Sequence, residues 1–189
     1  MLRAARESCV AVEDSMQTLT RRELAFKWSL YAAAALLCAG IQGLFLRRMS
    51  IAGVMPFVFP LLAVIPATFE NAASGGLVFA LCEGVFCDWL LPGGIPCFYT
   101  LIFPAAALIA CLISRTLLPA GFLCSLAVSS VSFALHGLFH CLLLWAMGHA
   151  AWEAGAWTTV REYLVTLPLI IPVTVLFQCV YDRVRRFQW

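Results

Sequence analysis

Charged residues are scarce in this chain. They fill 12% of its 189 positions, against 63% hydrophobic residues. A soluble domain carries about 25% charged residues, so that class is excluded. The mean hydropathy of +0.94 points instead to a polytopic membrane protein. The net charge of +2 is too small to imply a nucleic-acid partner. The chain lacks HExxH, GxSxG and any paired acidic motif with a downstream His. With no visible nucleophile, base or metal cluster, the expectation is a protein that is not an enzyme and carries no cofactor. Nine cysteines (9, 38, 82, 87, 97, 111, 124, 141 and 179) contain no CxxC pair. Most lie in apolar runs, where Cys acts as a small hydrophobe, so neither a disulfide framework nor a zinc site is expected. Low-complexity segments and evident internal repeats are also lacking. Inverted repeats leave little trace in sequence, so that second absence excludes nothing. Residues 1–27 show no signal-peptide pattern, and Met16 is an alternative start to Met1.

What the chain has is apolar runs of membrane-crossing length, which takes about 20 residues. Six spans are expected, at 28–46, 54–69, 73–91, 98–114, 121–147 and 163–181. Pro56, Pro60 and Pro66 break the second, and Pro168 and Pro172 interrupt the sixth, so both should be kinked. The fold class is therefore all-α: one six-span transmembrane domain over 28–182, between a polar segment 1–27 and a basic tail 183–189. The basic residues set its orientation. Arg3, Arg6, Arg21, Arg22, Lys27, Arg115, Arg183, Arg185 and Arg186 fall on one side, and Arg47, Arg48 and Arg161 on the other. That bias puts both termini in the cytoplasm. Trp28, Trp89, Trp145 and Tyr181 sit at span ends, as interfacial aromatics do. The stretch 148–162 reads as an interfacial loop, with a short amphipathic segment lying on the headgroups as the other reading.

The third span, AASGGLVFALCEGVFCDWLL, holds the most information. Ala72, Gly76, Ala80, Gly84 and Asp88 recur every four residues, a slowly drifting helical stripe on which another backbone can come close. A carboxylate in hydrocarbon costs about 2.5–3.5 kcal/mol even on lenient scales, so the two acids of this span call for a use. Asp88, before Trp89 and the turn at 92–96, either caps the next turn or reaches the interface, or else contacts another span or a partner. Glu83 lies deeper, roughly 140° around the helix from Asp88, so the two do not form a paired acid site. His136 and His140 share a face of the fifth span. They read either as a metal pair short of ligands or as part of a polar seam with Ser129, Ser130 and Ser132; the seam is the simpler reading and no metal site is expected.

In the order and spacing of these features the chain resembles the MreD family, the rod shape-determining membrane proteins of bacteria. The likeness rests on a proline-bearing second span, the turn FENAASGG, the pattern from Gly84 to Asp88, the turn PGGIP at 92–96, and a proline-bearing last span ending in DRVRRF. It covers about residues 21–187. The 148–162 stretch and the HxxxH pair are not part of it. The resemblance implies a non-enzymatic scaffold in the bacterial cytoplasmic membrane, working in the elongation complex that inserts peptidoglycan. Its partners would be an MreC-like protein, the MreB filament and the wall synthases. Gly76, Ala80, Gly84 and Asp88 are the expected contact surface.

A rival expectation is the substrate-binding membrane subunit of a vitamin-type importer, which MreD-like proteins resemble in overall shape. Glu83, His136 and His140 would then line a pocket. A membrane assembly or sporulation factor is a third reading. The discriminator between the first two is whether Glu83 and the two histidines face a cavity: one of about 300 Å³ or more with convergent polar groups argues for solute binding, and a dry, fully packed centre for the scaffold.

Overall fold

The computed structural model describes residues 21–51, 53–70, 73–91, 97–148 and 152–186. The choice of start, most of the polar N-terminal segment, Ala72 of the stripe, the turn at 92–96 and the last three residues of the tail lie outside them. Among the described residues the chain is helical, apart from an isolated bridge between Ile51 and Val54 around Gly53.

Helix α1 (Arg21–Leu44) begins inside the segment 1–27 expected to be polar. Its Ala-rich centre favours helix, and a short 3-10 turn, Leu46–Arg48, follows it. Helix α2 (Phe59–Phe69) is much shorter than the expected span 54–69. Its eleven residues rise about 16 Å, roughly half the hydrocarbon thickness. The chain before it is not helical, because Pro56 and Pro60 supply no amide hydrogens. The freed backbone groups there are met by side chains from other helices. Gln42 donates to the Pro56 carbonyl at 2.8 Å and accepts from the Val58 amide at 2.7 Å. Thr166 accepts from the Phe57 amide at 2.9 Å. Irregular backbone is tolerated at membrane depth when protein satisfies it in this way.

Every residue of α2 is buried. It touches α1, α3, α4, α5 and α7, so the most proline-broken segment is the centre of the bundle. Leu61, Leu62, Ile65, Phe103, Phe177 and Tyr31 form the middle of the core.

Helices α3 (Ala73–Leu90), α4 (Phe98–Thr116) and α5 (Phe122–Ala146) match the expected third, fourth and fifth spans closely. The expected loop at 148–162 is instead mostly helix: α6 (Trp152–Thr166) runs back along α5. Their close approach uses two glycines. A Cβ on Gly137 would lie 2.7 Å from Thr159 Cγ2, and one on Gly155 would lie 2.9 Å from Leu144 Cδ1. A 3-10 turn around Pro168 joins α6 to α7 (Ile170–Arg186), which is the break expected in the last span.

Among the described residues, three stretches are long and apolar enough to cross a membrane: Phe98–Thr116, Phe122–Ala146 and Glu153–Val184. Many large apolar side chains on the long helices, among them Leu36, Leu37, Val85, Leu101, Leu112 and Leu138, face outward. That outer surface suits lipid, which needs no polar covering.

Candidate functional site

The small-residue stripe is used within the chain. Gly76, Ala80 and Gly84 are all buried. A Cβ on Gly76 would lie 2.8 Å from Ala67 Cβ of α2. One on Gly84 would lie 2.6 Å from the Tyr99 carbonyl oxygen and 2.7 Å from Thr100 Cα of α4. The stripe is a helix-packing surface, as expected. Its expected role as a partner surface is corrected, because α2 and α4 already occupy it.

Asp88 completes that packing. Its carboxylate accepts from the Tyr99 amide at 3.0 Å, the Thr100 amide at 2.9 Å and the Thr100 hydroxyl at 2.5 Å. The first amides of a helix have no partner within the helix, and a negative charge suits that end of the dipole. The residue before α4 that would ordinarily cap it is Cys97. Cys97 has a left-handed backbone, φ 63°, and makes no side-chain cap. Asp88 therefore caps α4 from the neighbouring helix. Of the readings open for this acid, capping and a contact with another span are both found, in one arrangement. Gly84 lies one turn earlier and lets the capped turn come within reach.

Glu83 is buried on the opposite part of α3, toward Cys38 of α1. No hydrogen bond or ion pair holds its carboxyl among the described residues. It lines neither cavity described below. Its assignment to a pocket with the two histidines is therefore corrected: it is on the α1 side of α3, away from α5.

The histidines do meet a cavity. A space of about 350 Å³ opens between α5, α6 and the Asp88 end of the α3–α4 pair. His136, His140, Glu162, Thr158 and Thr159 give it a polar side; Phe98, Tyr99, Leu143 and Leu144 give it an apolar one. A second space of about 250 Å³ adjoins it and shares Leu91, Tyr99, His136 and Glu162. His136 is 7% exposed and sits among Phe57, Phe98 and Tyr99, with ring centroids 5.5–5.7 Å away. The His140 ring lies parallel to it at 6.2 Å. His136 Nδ1 is buried without a hydrogen-bond partner. The expected serine seam lies deeper on α5. Ser130 pairs with the Tyr163 hydroxyl at 2.7 Å, and Ser132 donates to the Pro60 carbonyl at 3.4 Å. No group of three His, Cys, Asp or Glu able to hold a metal occurs among the described residues.

Two acids escaped the sequence reading. Glu70 is buried and takes an ion pair from Lys27, Nζ to Oε2 2.6 Å. The buried Tyr31 side chain lies beside the same carboxylate. A signal existed, since Lys27 is the sole lysine of the chain and Glu70 ends an otherwise apolar segment. Glu162 falls at the end of the stretch 148–162 expected to be a loop. Its signal is helical spacing: Gly155, Thr159, Glu162 and Thr166 put small or polar residues on one face of α6.

No family model, curated protein or solved structure matches the chain.

Proposed function

We propose that this protein is a non-enzymatic, multi-pass scaffold of the bacterial cytoplasmic membrane, acting as an MreD-type component of the cell-elongation complex. It would cross the membrane six times with both termini in the cytoplasm, α2 and its non-helical lead forming the second crossing. In that complex it would help maintain rod shape by organising lateral peptidoglycan synthesis with an MreC-like protein, the MreB filament and wall synthases. One observation carries the reading. The short pattern Gly84 to Asp88, on which the resemblance rests, is a single mechanical device: the glycine admits the first turn of α4 and the aspartate caps it. A motif that joins two helices has a physical reason to recur in a family with one architecture. The partner surface is then not the stripe but the outward apolar faces of the long helices, which suit a neighbouring membrane helix as well as lipid.

The test is purification from the native membrane in mild detergent, with mass spectrometry of what accompanies the chain. Recovery of an MreC-like protein and wall synthases supports the scaffold, and loss of rod shape on depletion would add to it. Recovery of a paired ATPase and a coupling subunit instead would overturn it.

The cavity favours a second reading, the substrate-binding membrane subunit of a vitamin-type importer. At about 350 Å³ it falls in the range of small-molecule sites, and polar groups from α5 and α6 converge on it. Uptake of a labelled solute dependent on an ATPase would be the corresponding observation.

A further inference from the structure

The cavity beside His136 has a charge character that selects its occupant. Its lining holds two carboxylates, Asp88 and Glu162, two imidazoles, and neither lysine nor arginine. The two acids are not equivalent. The Asp88 charge is already met by two amides and a hydroxyl. The half-buried Glu162 carboxylate has no hydrogen bond or ion pair among the described residues, and it borders both connected spaces. A carboxylate withdrawn from water and left without a counter-charge favours a cation beside it. His136, 7% exposed as a residue, lines both spaces, and its buried Nδ1 has no hydrogen-bond partner among the described residues. Tyr99 and Phe98 add aromatic surface, which attracts a cation or a flat ring. Among the described residues, no lysine or arginine is there to meet a phosphate or carboxylate.

We infer that this cavity is a binding site for a small organic cation, an amine on a flat apolar body, with Glu162 as its counter-ion. The ring lies against Phe98, Tyr99 and Leu144, and the ammonium meets Glu162. The inference sharpens the solute-binding reading by naming a ligand class, but it rests on the cavity alone. A site that binds without any ATPase partner would leave it standing while the importer reading fails.

The experiment is calorimetric titration of the full chain in lipid nanodiscs, with empty nanodiscs as the blank. The probes are tryptamine, its uncharged analogue tryptophol, and its anionic analogue indole-3-acetate. Tryptamine should bind saturably at one site, about tenfold or more tighter than either analogue. Glu162→Gln should weaken tryptamine about tenfold and leave tryptophol unchanged. Thr158→Trp, at an exposed wall position on α6, should fill the space and abolish binding of both. Absence of saturable tryptamine binding would overturn the inference. So would equal binding of the anion, or indifference to both substitutions. A cross-link from Glu162 to a lysine or arginine of a co-purifying protein, with no tryptamine binding, would replace the small cation with a protein contact.

Discussion

At one end of the bundle Glu70 meets Lys27; at the other, Asp88 meets only amides and a hydroxyl, and Glu162 has no such partner among the described residues. All three are carboxylates withdrawn from water, yet each is handled differently. The Lys27 end closes with an ion pair packed under Trp28 and beside Tyr31. The Asp88 end is held by a cap that spends its charge on backbone, and next to it lie both described cavities. The difference separates acids that hold the fold from an acid left over for something else. A carboxylate held by a counter-ion or by hydrogen-bond donors explains its own presence. A half-buried one beside a cavity, with neither among the described residues, is available to a ligand.

The substitution expected to break this picture most severely is Gly84→Leu. Its Cβ alone would sit 2.6 Å from a backbone oxygen and 2.7 Å from a Cα, neither of which can swing aside. Overpacking costs about 1–3 kcal/mol where side chains can shift, and more where they cannot. The expected outcome is loss of monodisperse protein in size-exclusion chromatography, whatever the partner. Gly40→Leu, with nothing within 4 Å of its Cβ, should behave as wild type in the same column. A normal Gly84→Leu profile would mean that α3 and α4 do not pack as described.

Next in size is the ion pair. Lys27→Met leaves Glu70 buried alone, and breaking such a pair from one side costs about 3–5 kcal/mol. The double variant Lys27→Met with Glu70→Gln removes both charges and should recover most of that loss. Thermal melts of the two singles and the double in one detergent give the coupling directly. If the double variant is as unstable as the sum of the singles, the two residues do not interact and the contrast between the ends disappears.

Asp88 should be intermediate. Asp88→Asn keeps one oxygen acceptor but turns an amide nitrogen toward donors, a loss of about 1–3 kcal/mol. Asp88→Leu forfeits all three hydrogen bonds and should melt lower still. Equal losses in the two variants would show that charge, rather than the geometry of the cap, is what α4 needs.

Periodicity and proline placement carry much of this fold. The ends of α3, α4 and α5 follow from uninterrupted apolar runs and interfacial tryptophans. The break at Pro168 follows from the missing amide hydrogen. What could not be read locally is what depends on partners far along the chain. Val58 is bonded by Gln42 and Phe57 by Thr166, and only those contacts let the lead into α2 stay unwound. Without them a proline-broken span reads only as kinked, whereas α2 is the centre of the bundle. The candidate site was half legible. The i, i+4 spacing of His136 and His140 put them on one face, but the third polar wall, Glu162, lay in a stretch whose low hydropathy reads as loop. The same stripe spacing that marks a close helix contact says nothing about whose backbone fills it. Here the chain's own α2 and α4 do.

The smallest expected effect is also the sharpest division between the two ends. Glu162→Gln removes a charge that holds no hydrogen bond or ion pair, in a side chain of nearly the same shape. Its melting temperature should stay within about 1 °C of wild type, well under the shift of 2–4 °C that 1 kcal/mol produces in a chain of this size. Glu70→Gln, by contrast, strands the Lys27 ammonium and should fall by several degrees. Both variants remove one carboxylate charge from the same protein in the same detergent, so the comparison cancels the effect of net charge. A Glu162→Gln protein as unstable as Glu70→Gln would mean that Glu162 is a structural acid, and the cavity would lose its counter-ion. A Glu162→Gln protein that melts slightly higher would have the opposite meaning: the wild-type chain then carries an unfavourable charge at that position, which a fold tolerates where a bound cation repays it.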